Sequence, residues 1–185
     1  MKNNKLVKAI FLDRDGTIIK DKGDIATPAQ VELYPFAAPA LRQLQQAGFL
    51  LFIITNQSGI AKKVITEQEV NRVNHYLVDL LKKKGVNIES VYYCPHEKED
   101  QCKCRKPSPY FIYQARQAYG LSLLHCFVVG DHPSDMLLAN NSGTTGIYVL
   151  TGHGKKHQDE IPEGIKVCKD LKYAARFILE NKEEY

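Results

Sequence analysis

Five short β-rich runs alternate with helical patterns along this chain, and that alternation more than any other feature limits what it can fold into. The runs are VKAIFL at 7–12, FLLFIIT at 49–55, ESVYYC at 89–94, HCFVVG at 125–130 and TGIYVL at 145–150. Helices are predicted over 36–48, 66–85, 109–120 and 134–143, with a last one over about 170–181. Thr66 and Glu69 have capping-box spacing at the start of the longest helix, and Gly48 and Gly85 stand where helices close. Strands that are apolar throughout are buried on both faces, and strand–helix alternation makes them parallel. The expected fold class is therefore α/β: a three-layer, Rossmann-like core with a central parallel sheet. The 185 residues suit a single domain over 1–185.

In such sheets ligands bind beyond the carboxyl ends of the strands. Asp13 and Asp15 follow the first run, Thr55 and Asn56 end the second, Cys94 and His96 close the third, and Asp131 and Asp135 follow the fourth. All four polar sets thus fall at one edge, where chance would scatter them over both.

Hydrophobic residues at 44% and charged residues at 25% are ordinary for a globular protein. A net charge of +4, with no basic stripe interleaved with aromatics, argues against nucleic acid and fits a small anionic substrate. No apolar run reaches the ~20 residues of a membrane span. The start, MKNNKLVKAIFLDRDG, has no small-residue cleavage site and does not read as a signal peptide. A cytoplasmic monomer acting on a small anionic substrate is the expectation.

Two carboxylates two residues apart on a loop leaving a strand can divide labour, one attacking while the other moves a proton. Gly16 permits a sharp turn there, and Thr17 can bond back to the loop. Phosphate and carboxylates repel each other, so a cation is needed to join them, and Mg²⁺ suits such oxygen ligands. Asp131 and Asp135 are available to complete its shell, and Lys106 to neutralise charge on a transferring phosphoryl group. D-x-D-G alone is equally a turn or a helix cap. A calcium loop would need a third ligand before the glycine and a glutamate five residues later, and Lys20 and Asp21 do not supply them. The joint occurrence of four sets favours a reaction centre.

The segments FLDRDGT at 11–17, ITNQSGIA at 54–61, CRKPSP at 104–109 and VVGDHPSD at 128–135 resemble, in order, the four motifs of the haloacid dehalogenase (HAD) superfamily. The resemblance implies that Asp13 forms an aspartyl-phosphate intermediate. It implies that Asp15 is general acid for the leaving oxygen and then base for the hydrolytic water. Mg²⁺ would be held by the Asp13 carboxylate, the Asp15 carbonyl and Asp131, with Thr55 and Lys106 on the phosphoryl oxygens. Asp135 would support the metal shell or Lys106. Residues 17–48 and 60–88 leave room for little beyond core helices, so a minimal cap is expected. A non-catalytic binding module on this fold would be favoured by loss of Asp13, Asp15, Lys106 or Asp131, and all four are present.

Residues 94–104 read CPHEKEDQCKC. Cys94, His96, Cys102 and Cys104 offer three thiolates and one imidazole, a closed tetrahedral zinc set, against the alternative of three surface cysteines and an incidental histidine. A closed site has no open position for catalysis, so the zinc would pin the loop that delivers Arg105 and Lys106. This loop joined to CRKP resembles the heptose 1,7-bisphosphate phosphatases and the related histidinol-phosphate phosphatases, with TNQSGIA and YYCPH closer to the heptose branch. The chain departs from that branch at Lys62, Lys63, Tyr110 and His132.

The remaining signals are weaker. Arg105 can fork onto a second phosphate or a sugar hydroxyl, or stand as a surface arginine. Asn56, Gln57 and Ser58 can contact substrate or cap the next segment. Cys126, in an apolar run, is expected in the core, and Cys168 is uninformative. TGHGKKH at 151–157 can line the site, though a flexible basic loop is the simpler reading; His153 and His157 are not expected to bind metal. The tail NKEEY at 181–185 reads as a solvated helix end.

Overall fold

The computed structural model describes residues 6–181; the first residues of the basic start (1–5) and most of the NKEEY tail (182–185) lie outside the described residues. Six strands, β1 (Lys8–Leu12), β2 (Phe49–Asn56), β3 (Ser90–Cys94), β4 (Phe127–Gly130), β5 (Thr145–Val149) and β6 (Lys166–Cys168), form one sheet. Its order is β3-β2-β1-β4-β5-β6, and every pairing is parallel. Four helices connect β1 through β5 in turn, α1 (Ala37–Gln46), α2 (Glu67–Lys83), α3 (Tyr110–Tyr119) and α4 (Pro133–Ser142), and α5 (Leu171–Glu180) follows β6.

The period of two along β1 explains the layers. Ile10 and Leu12 face a core shared with Leu41 and Leu44 of α1, Val73 and Leu77 of α2, and Ala174 and Ile178 of α5. Ala9 and Phe11 face the other side, where Ile112 of α3 and Leu138 of α4 pack. Both faces are covered, which is why the strands carry no alternating polar positions. Buried aliphatic and aromatic side chains of this size each stabilise by roughly 1.5–3 kcal/mol.

The helix ends follow their residues. Thr66 Oγ1 accepts from the Glu69 amide at 3.2 Å while Glu69 Oε2 accepts from the Thr66 amide at 2.7 Å, which closes the capping box of α2. α3 and α4 stop at Gly120 and Gly143, whose φ values of 66° and 72° are in the left-handed region. α4 begins one residue earlier than predicted, at Pro133, where a missing N–H costs nothing. Its N-cap is His132, whose ring accepts from the Ser134 amide at 3.2 Å. β6 carries no apolar run because it is three residues long at the sheet edge, with Lys166 exposed.

The order of the strands places the site. From β1 the chain steps outward to β2 and β3, then returns to the other side of β1 for β4, β5 and β6. The loops leaving β1 and β4 therefore diverge from adjacent strands at the switch point, where doubly wound sheets leave a crevice. The Asp13 amide donates to the Val129 carbonyl at 2.9 Å, so the β1 loop is still fastened to β4 as it leaves the sheet. Between β1 and α1 the described residues hold turns, isolated bridges and a 3-10 turn at Pro28–Gln30, and no inserted cap domain.

Candidate active site

Three carboxylates converge at this crevice. Oxygens of Asp13, Asp131 and Asp135 all lie within 4.8 Å of one another, and all three side chains are buried. Lys106 enters among them: its Nζ donates to Asp13 Oδ1 at 2.6 Å, to Asp135 Oδ1 at 2.7 Å and to the Ile54 carbonyl at 3.0 Å. Burial alone would push Lys106 down, but Asp13 and Asp135 outweigh it and hold the ammonium above its ordinary value. Burial raises Asp13, with Lys106 opposing it. Asp131 is pushed up to about 9, first by burial and then by Asp13 and Asp135. One lysine against three buried carboxylates leaves negative charge uncompensated. A hard divalent cation with oxygen ligands fits that deficit.

The β1 loop is shaped by what it lacks. Gly16 has φ 79°, and a Cβ there would overlap the Asp131 carboxylate. Thr17 does not bond back to its own loop as expected; its hydroxyl donates across to Asp131 Oδ1 at 3.4 Å. The 151–157 loop also reaches the site. Gly152, with φ 52°, passes against the Gly16 Cα, and the His153 amide donates to Asp131 Oδ2 at 2.7 Å. A glycine- and histidine-rich composition does not reveal that approach.

Asp15 is held apart from the three-carboxylate cluster. Its Oδ2 accepts from Arg14 Nε at 3.0 Å, from Gln57 Nε2 at 3.0 Å and from Thr55 Oγ1 at 3.4 Å, and its Oδ1 accepts from Arg14 Nη2 at 3.2 Å. Burial raises its pKa, and Arg14 works against that. Sequence reasoning missed Arg14, which is wholly buried, and left Gln57 without a definite place.

The zinc-type cluster sits beside Lys106. Sγ of Cys94 lies 3.5 Å from Sγ of Cys102 and 3.3 Å from that of Cys104, and His96 Nδ1 is 3.4 Å from Cys104 Sγ. A tetrahedron of Zn–S bonds has edges of about 3.8 Å, so the four donors fit zinc with little adjustment. Arg105 Nη1 donates to the His96 carbonyl at 2.9 Å, which ties the guanidinium to this loop. Asn56, at the end of β2, clasps the Lys106 backbone on both sides: its Oδ1 accepts from the amide at 3.0 Å and its Nδ2 donates to the carbonyl at 3.4 Å. Its amide is thus spent on the chain that carries the lysine.

These loops enclose a cavity of about 590 Å³ whose lining includes Asp13, Asp15, Thr55, Arg105, Lys106 and Asp131. His132 and His153 stand on its rim, and the His132 ring is 5.3 Å from that of His157. Burial and the neighbouring His157 lower His132. Cys126 is in the core as expected, and Cys168 is buried too.

A buried carboxylate paired with a lysine, a second carboxylate with hydrogen-bond donors and a carboxylate cluster suited to a hard cation fit the class that the comparisons give: a HAD-like phosphoric monoester hydrolase. A HAD-hydrolase-like family profile matches residues 103–174. The D-glycero-beta-D-manno-heptose-1,7-bisphosphate 7-phosphatase of Helicobacter pylori strain J99 is 36% identical over 166 residues, covering 89% of this chain and 93% of that one. The histidine biosynthesis bifunctional protein HisB of Blochmanniella floridana is 33% identical over 143 residues, 76% of this chain and 40% of that protein. Among solved structures, the D,D-heptose 1,7-bisphosphate phosphatase of B. bronchiseptica, complexed with magnesium and phosphate, superposes with TM-score 0.88 at 31% identity, over 95% of this chain and 99% of that one. The chain belongs to the family of HAD-like phosphatases that contains the D-glycero-manno-heptose-1,7-bisphosphate 7-phosphatases.

Proposed function

We propose that this phosphatase removes the 7-phosphate of D-glycero-D-manno-heptose 1,7-bisphosphate, with Mg²⁺ at the carboxylate cluster and Zn²⁺ in the 94–104 loop. The observation that carries the reading is the buried group of Asp13, Asp131, Asp135 and Lys106 in a chain so similar to heptose bisphosphate phosphatases over most of its length.

Asp13 attacks phosphorus in line with the departing sugar oxygen and becomes the aspartyl phosphate. Asp15 gives its proton to that oxygen, then takes one from the water that opens the aspartyl phosphate. Lys106, already seated on Asp13, receives a phosphoryl oxygen, and Thr55 receives another once its hydroxyl turns from Asp15 to the substrate. Asp131, Asp13 and the Asp15 carbonyl are the residues that would hold Mg²⁺, which when bound screens the carboxylates from the phosphate. Asp135 braces Lys106, and Gly16 and Thr17 keep the loop close to Asp131. Arg105 and Asn56, bound to the zinc loop and to the Lys106 backbone, set where the loop stands against the substrate. Cys94, His96, Cys102 and Cys104 would hold Zn²⁺, which fixes the loop and takes no part in the chemistry.

We read the chain as one domain over 1–185, working as a cytoplasmic monomer without nucleic acid or membrane. Free cysteines throughout the described residues suit a reducing compartment, and no helix there is long and apolar enough to cross a membrane. The test is a panel of phosphate esters with Mg²⁺, read as kcat/KM. Heptose bisphosphate should lead, and faster turnover of histidinol phosphate would move the chain to the other branch.

A further inference from the structure

Arg14 lies between the two aspartates of the first motif, and its side chain is wholly buried. The chain bends at Arg14, just beyond the end of β1. Asp13 and Asp15 line the cavity, while the Arg14 guanidinium reaches back under the site toward α2. There its Nη1 donates to Asn74 Oδ1 at 2.8 Å. Asn74 is the one polar residue in the buried stripe of α2, among Val70, Val73, Leu77 and Leu81. Its Nδ2 has no hydrogen-bond partner. A buried amide that leaves its own donors unmet in an apolar stripe is costly, and among the described residues its side chain's only bond is the one it accepts from Arg14.

We propose that Arg14, braced by Asn74, is a positioning residue that sets the orientation of the Asp15 carboxylate for proton transfer. This rests on the reading of Asp15 as the general acid and base. The fork from Nε and Nη2 fixes the plane of the carboxylate. Gln57 and Thr55 add two further donors to Oδ2, whereas Oδ1 accepts a single bond at 3.2 Å. Oδ1 is therefore the oxygen left free to carry the proton to the leaving group. A proton donor must come within hydrogen-bond reach of its acceptor, and a displacement of about 1 Å can cost roughly 10²-fold in rate. A purely structural ion pair would have no need to spend its geometry on the carboxylate that hands a proton to the leaving group. A well-packed apolar pair would serve stability as well.

The ester's leaving group separates positioning from folding. An alkyl oxygen leaves only with a proton, whereas p-nitrophenolate leaves without one. In kcat/KM, which reports the chemistry up to departure of the leaving group, Arg14→Lys keeps the charge and loses the fork. It should lower the value for a sugar phosphate by roughly 10²-fold and leave p-nitrophenyl phosphate within about threefold. Asn74→Leu should shift the ratio of the two esters in the same direction. Asn74→Asp, which still offers an oxygen to Nη1, should retain the parental ratio. If Arg14→Lys does not fold, the two Asn74 variants carry the comparison. Equal losses on both esters, or no loss on either, would overturn the proposal. A parent protein inert toward every phosphomonoester would instead overturn the phosphatase reading beneath it.

Discussion

Lys106 Nζ stands 2.6 Å from Asp13 Oδ1, so the buried cation and the Asp13 carboxylate form a direct pair. The pair is 4% and 10% exposed, shielded from the solvent screening that weakens surface ion pairs. Removing the lysine leaves Asp13, Asp131 and Asp135 facing one another without a counter-charge. Lys106→Met should abolish turnover and, in cation-free buffer, destabilise the fold by about 3–5 kcal/mol. Urea unfolding measures this. Lys106→Met combined with Asp135→Asn should recover part of the loss, because a carboxylate that no longer has its partner has gone. A double variant no better than the single one would show that the charge pair is not the cause.

Asp13→Asn separates chemistry from folding. The amide cannot become an acyl phosphate under these conditions, and turnover should fall by at least about 10³-fold. Burial already penalises the charged form of Asp13, and Lys106 keeps Asp135 and the Ile54 carbonyl as partners. The melting temperature of the cation-free variant should accordingly match or exceed the parent's. Substantial activity in this variant would end the covalent mechanism.

The zinc loop is expected to act through Lys106. Purified protein should contain one Zn²⁺ per chain by elemental analysis, and Cys104→Ser should lower that content. Chelation should reduce kcat/KM in step with zinc lost, and added zinc should restore it. Asn56 gives the lysine a second hold through its backbone. Asn56→Ala should therefore make activity more sensitive to chelation than the parent's. Full activity in zinc-free protein would detach the loop from catalysis.

What the sequence reveals depends on how far apart the partners are. Strands buried on both faces show themselves as unbroken apolar runs, and a parallel sheet brings their carboxyl ends to one edge. Asp13, Thr55 and Asp131 are therefore drawn together by topology alone. The cysteine cluster is legible because its donors are close in sequence and their chemistry is narrow. Arg14 is not legible, because a charged residue between two aspartates reads as loop polarity until Asn74, sixty residues on, is seen to receive it. A polar residue interrupting the apolar stripe of α2 is the signal that could have raised the question. β6 is too short and too exposed to leave a pattern. The approach of Gly152 to Gly16 depends on two missing side chains, which no periodicity records.

The Asp131 carboxylate ties stability and cation binding to pH. Without a cation it is held at about 9, against an ordinary 3.8, because burial, Asp13 and Asp135 all disfavour its charge. The folded chain thus keeps a proton that the unfolded chain gives up. The stability this contributes is full below about pH 4 and is lost as pH rises through about 9. In cation-free buffer the melting temperature should decline across that span. Mg²⁺ requires the ionised carboxylate and competes with the proton, so the rise in melting temperature on adding Mg²⁺ should grow from about pH 6 to about pH 9. Thermal scans with and without Mg²⁺ at several pH values measure both trends. A magnesium effect largest at the acid end would show that Asp131 does not hold the proton that the cation must displace.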